Sequence, residues 1–117
     1  MQEHAIIDMP TYNQLKELMG VEFIAELVDT YNNETKALIE QLGQALVSGE
    51  ATSFRRCAHS IKSSSASLGA LVFSQQARNL EMMGKANDLS GAGQKLEQLA
   101  ADFIQVKHCL EELRDES

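Results

Sequence analysis

From Val21 to about Val47 the chain carries one long amphipathic pattern. Ile24, Leu27, Tyr31, Leu38, Leu42 and Ala45 recur at helical spacings, and Phe23, Val28, Ile39 and Leu46 widen the stripe. Thr35 takes the weak place in that row, and Ser48-Gly49 stops it. Thr52 or Ser53 is the expected cap of the next helix, which ends near Gly69. A further helix is predicted from about Leu71 to Lys85, with Phe73, Ala77, Leu80 and Gly84 as its inner row. Gln76 and Met83 flank that row on one side. Glu81 lies on the other, at the boundary between core and solvent. Asn87 to Gly93 is the least patterned stretch and reads as a loop. Leu96, Leu99, Phe103, Val106, Leu110 and Leu113 then form a seam of two residues per heptad.

Before all this, residues 1–10 read as an extended lead-in whose Ile6 and Ile7 can pack on the body. Thr11-Tyr12-Asn13-Gln14 has the form of a capping box, predicting a short helix over 11–19 closed by Gly20. Each long helix buries one stripe and leaves the other face wet. The expectation is an all-α chain of one domain, 1–117. Its body, residues 21–116, is expected to be an antiparallel up-down four-helix bundle with a short additional N-terminal helix.

The helix between Thr52 and Gly69 has two unlike faces. At about 100° per residue, Phe54, Cys57, Ile61 and Leu68 fall in one arc, flanked by Ala58, Ser64 and Ser65. His59 lies opposite, with Arg55 and Lys62 on adjoining turns and Thr52, Ser63 and Ala66 small beside it. Arg56 lies further round the helix. The net charge of the chain is −7, yet this segment is locally basic. An exposed imidazole among fixed cations and small neighbours suits an incoming anionic group.

Composition narrows the field. Aromatic content of 5% with abundant Leu and Ala favours helix-on-helix packing over strands. The acidic balance disfavours a nucleic-acid binder, which needs a basic surface to release counterions. Cys57 and Cys109 have no metal-ligand spacing and read as buried thiols of a reducing compartment. No apolar run reaches the length of a membrane span, and the N-terminus lacks a signal pattern, so the expected location is the cytoplasm. His4 and His108 lack the company that His59 has. The opening Met1 and the lack of a linker favour a free-standing protein over an excised domain.

His59, Ile61, Lys62, Ser63, Ser64, Ser65, Leu68, Gly69 and Ala70, with Arg78 and Leu80-Glu81 downstream, carry a signature. It resembles that of the histidine-containing phosphotransfer (HPt) family, roughly His-x-Leu-Lys-Gly-Ser-Ser-x-x-Leu-Gly-Ala. Phe23, Glu26 and Leu27 early, Leu42, Ala45 and Leu46 before the motif, and Ala77 after it extend the likeness over almost the whole chain. The family's common Gly at the fourth residue after the histidine is Ser63 here, a small-for-small change that touches only clearance around the phosphate.

The resemblance implies a phosphorelay intermediate that binds no nucleotide. It accepts a phosphoryl group on histidine from a receiver-domain aspartate and passes it to another. His59 would be phosphorylated through Nε2, and Lys62 would neutralise the phosphoryl oxygens. Glu81 stands where the family places Gln or Glu to hold the ring Nδ1–H. Arg55, Arg56, Ser63 and Ala66 would meet the partner. The expected partners are receiver domains of a hybrid sensor kinase and of a response regulator, met by a monomer that binds neither nucleic acid nor membrane. No cofactor belongs to the chain itself; Mg²⁺ is expected on the receiver. General chemistry agrees, since phosphoryl transfer needs positioning and charge stabilisation more than covalent help. Two rival readings remain at this level. One is an adaptor bundle in which His59 is incidental. The other is an enzyme, either a kinase phosphoacceptor domain or an aspartyl-phosphate phosphatase, although no Gly-rich nucleotide motif is present.

Overall fold

Between the first four helices the chain turns within one or two residues, whereas the longer stretch 86–91 precedes the last helix. The computed structural model describes residues 6–116, and these form five helices with no strand among the described residues. They are α1 (Met9–Met19), α2 (Val21–Ser48), α3 (Ala51–Leu68), α4 (Leu71–Lys85) and α5 (Ala92–Glu116). The four longer helices close a ring of contacts, α2 on α3, α3 on α4, α4 on α5 and α5 on α2, with α3–α4 the most extensive; α1 lies against α2 and α3. No helix is long and apolar enough to cross a membrane.

The core is where the stripes meet. Ile24, Val28, Leu42, Phe54, Ile61, Leu80, Leu99 and Leu110 are all almost wholly removed from water, each contributing roughly 1.5–3 kcal/mol of burial. Phe103 of α5 joins two other helices through its ring, edge-on to Tyr31 at 6.4 Å and tilted against Phe73 at 5.9 Å. The Tyr31 hydroxyl and Ser65 Oγ lie 2.6 Å apart in the same interior. That bond ties α2 to α3, and burial pushes the Tyr31 phenol up to about 12.

Several boundaries differ from the sequence expectation. The short helix starts at Met9, and its cap is Asp8 rather than Thr11. The Asp8 carboxylate accepts from Thr11 N at 3.3 Å and from the Thr11 hydroxyl at 2.5 Å, so Thr11 donates where it was expected to accept. Pro10 sits within the first turn, where a missing N–H costs nothing because those groups have no helical acceptor. Ile7 is fully buried and Ile6 packs on the core; the lead-in residues 1–5, with His4, lie outside the described residues. α3 begins at Ala51, not after Thr52 or Ser53. The left-handed Gly49 closes α2, and Glu50 takes the cap position of α3 with no side-chain hydrogen bond to the first turn. In α2 the buried row runs through Ile24, Val28, Tyr31, Asn32 and Thr35, while Phe23 is exposed. Cys109 is only partly buried, against the expectation of a buried thiol.

Gly69 ends α3 and joins it to the N-terminal segment. At φ +96° it is left-handed, and the amides of Gly69 and Ala70 return to Ala66 O and Ser65 O, the pairing of a Schellman turn. Its own carbonyl accepts from Asp8 N at 2.7 Å. A Cβ here would stand 2.8 Å from Asp8 O.

Candidate functional site

α3 is serine-rich and a weak helix by propensity. Two of its hydroxyls bond back to the helix: Ser64 Oγ donates to Ser60 O at 2.9 Å and Ser67 Oγ to Ser63 O at 3.1 Å. Burial of Phe54, Cys57, Ala58, Ile61, Ser65 and Leu68 supplies what propensity lacks. That burial fixes the helix rotation and sends His59 to the opposite face, as the periodicity requires.

α4 pairs with α3 along its length. Ser74 Oγ donates to Lys62 O at 2.8 Å, and a turn or two on Glu81 faces the His59–Lys62 edge. One carboxylate oxygen, Oε2, is 2.7 Å from His59 Nδ1; the other, Oε1, is 2.8 Å from Lys62 Nζ. The His59 side chain is 57% exposed while that of Glu81 is only 15% exposed. A partner can thus reach the ring while the group holding it stays sheltered.

Electrostatics decide which atom carries the proton. Burial of the Glu81 carboxyl opposes its ionisation, but the hydrogen bonds and charges of Lys62 and His59 outweigh it and hold the group below the ordinary carboxylate range. An ionised carboxylate only accepts, so Nδ1 is the donor. In the neutral ring Nε2 then bears the lone pair, which makes it the nucleophilic nitrogen.

The other predicted residues fall into two groups. Arg55 and Arg56 are exposed and, with His59, Ser60 and Glu81, line one shallow depression. Ser63 is exposed and Ala66 partly buried on the same helix, and neither lines that depression. Arg78 is exposed on α4. His108 Nε2 is 3.3 Å from Glu112 Oε2 on a solvated stretch of α5. Cys57 Sγ lies 3.5 Å from Gln41 Oε1, and burial pushes its thiol up. Two supports of the site escape sequence reading. The Ser74 bond to the Lys62 carbonyl has no sequence signal, and the Tyr31–Ser65 bond shows only as a hydroxyl in each of two apolar arcs.

No curated protein matches the sequence. The fold is similar to the crystal structure of histidine-containing phosphotransfer protein B (HptB) from Pseudomonas aeruginosa PAO1, with a TM-score of 0.90, 27% sequence identity and 96% of each chain covered. The sequence matches the family model of the Hpt domain over residues 26–116. That span includes all of α3 and α4, and hence His59, Lys62 and Glu81; the chain belongs to the Hpt domain family.

Proposed function

We propose that this protein is a phosphorelay intermediate of two-component signalling that carries the phosphoryl group on His59. Histidine phosphotransfer within such a relay is the function its family membership and fold likeness support. The observation that supports this role for His59 is the 2.7 Å bond from its Nδ1 to the sheltered Glu81 carboxylate.

The step follows from that bond. The Nε2 lone pair attacks phosphorus of a receiver's aspartyl phosphate; the N–P bond forms as the P–O bond to aspartate breaks, and the aspartate leaves as carboxylate. The phosphorylated ring keeps its Nδ1–H on Glu81, whose charge favours the cationic form. Lys62 rests on Glu81 and has two further ammonium protons with which to meet the phosphoryl oxygens. Transfer onward to a second receiver reverses the step. Arg55 and Arg56 flank the depression and are assigned to partner contact, with Ser63 and Ala66 further along α3. The Mg²⁺ such a transfer uses is assigned to the receiver's carboxylates.

Around this site we read the ring of α2 to α5 as one antiparallel up-down four-helix bundle with α1 as an added N-terminal helix, forming a single Hpt unit. Two-residue connections before α3 and α4 support that reading, because so short a link reverses the chain. The protein acts as a phosphocarrier rather than a kinase, as a cytoplasmic monomer. Its partners are receiver domains of a hybrid sensor kinase and a response regulator.

The test is incubation with a radiolabelled, phosphorylated receiver domain. The expected result is acid-labile label on the wild type and none on His59→Gln. Label persisting on His59→Gln overturns the assignment. Release of free phosphate with no label on the wild type points instead to a phosphatase.

A further inference from the structure

Next to the site, α3 and α4 approach too closely at Gly84 to admit a side chain. A Cβ on the buried Gly84 would stand 2.9 Å from Arg55 Cβ, 3.0 Å from Arg55 Cα and 3.0 Å from Ala51 O. Carbon atoms pack at about 3.5–4.0 Å, so any side chain here would force the helices apart, and two of those three atoms are backbone. Gly84 follows Glu81 by one turn of α4, and Arg55 precedes His59 by one turn of α3. The contact is therefore adjacent to the Glu81–His59 bond. On the far side of that bond, Ser74 Oγ holds the Lys62 carbonyl at 2.8 Å.

We propose that Gly84 is a positioning residue for phosphoryl transfer: its missing side chain sets α4 at the depth from which Glu81 reaches His59 Nδ1. The inference rests on His59 being the carrier. Glu81 has little slack to make up a retreat of α4. Its two oxygens are committed to different partners, at 2.7 Å and 2.8 Å, and a rotation that follows one lengthens the other. A retreat of about half an ångström is enough to take the shorter bond to the limit of good geometry, about 3.2 Å. The ring then loses its fixed tautomer.

The experiment compares wild type, Gly84→Ala and Gly43→Ala. Gly43 lies in α2 with nothing within 4 Å of an added Cβ. Nitrogen-15 NMR reads the His59 tautomer directly and needs no phosphoryl donor. Transfer from a labelled receiver is measured on the same samples. Wild type and Gly43→Ala should show the single Nδ1–H tautomer. Gly84→Ala should show a tautomer mixture and transfer roughly ten- to a hundredfold slower, with helical circular dichroism retained. Should Gly84→Ala fail to fold, Glu81→Asp carries the test, since it shortens the reach with Gly84 in place. An unchanged tautomer and rate in folded Gly84→Ala, or in Glu81→Asp, overturns the proposal. That result is distinct from failure of the carrier reading, in which the wild type itself takes no label.

Discussion

His59 and Glu81 are 22 residues apart in sequence and joined by a 2.7 Å hydrogen bond between neighbouring helices. The histidine is largely in solvent and its partner largely out of it, so the nitrogen that reacts and the nitrogen that is held are separated by environment. Lys62 completes the arrangement from the other carboxylate oxygen.

Removing the lysine charge should act through Glu81. With Lys62→Met the carboxyl keeps its burial but loses a leading source of stabilisation, so its pKa rises toward the ordinary range. Transfer should fall roughly tenfold, and the acid limb of the rate-against-pH profile should move to higher pH. A lower rate with an unmoved acid limb would mean that Lys62 acts on the phosphoryl oxygens alone.

The same carboxylate contributes to stability in a definite pH window. Its folded pKa is depressed, so the unfolded chain binds the proton more readily, and the contribution is present above the unfolded value of about 4.3. It is lost as pH falls through the folded pKa. Urea midpoints of wild type and Glu81→Gln should therefore differ at neutral pH and converge in acid. A pH-independent difference would contradict the depressed pKa.

At the alkaline end the sign reverses. The Tyr31 phenol is raised to about 12 by burial, so its contribution is full below about pH 10, the unfolded value, and is lost as pH climbs toward 12. Tyr31→Phe should cost on the order of 1 kcal/mol at neutral pH through the lost bond to Ser65. Wild type should then lose stability more steeply than Tyr31→Phe above pH 10. Parallel curves would rule out Tyr31 as a source of the alkaline limb.

Gly69 and Gly49 both cap helices with positive φ, yet their surroundings differ. An alanine at Gly49 meets nothing within 4 Å and should cost only the left-handed penalty of about 1–2 kcal/mol. At Gly69 it also meets Asp8 O at 2.8 Å, adding about 1–3 kcal/mol of overpacking. Thermal unfolding should rank Gly69→Ala well below Gly49→Ala. Equal melting temperatures would show that the Asp8 segment adds no constraint at that turn.

The helix count, the faces of α3 and the exposure of His59 were legible in the sequence, because apolar residues at helical spacing must turn inward and carry every other residue with them. The motif around His59 placed Glu81 as its partner only by likeness to a family. Periodicity reached no further than the boundary between core and solvent. Helix starts were less legible. Asp8 took the capping role expected of Thr11, since a carboxylate three residues upstream can accept from both its amide and its hydroxyl. What tertiary structure alone decided is distance between helices. Which oxygen of Glu81 faces His59 and which faces Lys62, and how close Gly84 lets α4 approach, depend on how two separate stripes pack. Periodicity along one helix sets a direction, and only the packing of a second helix sets a separation.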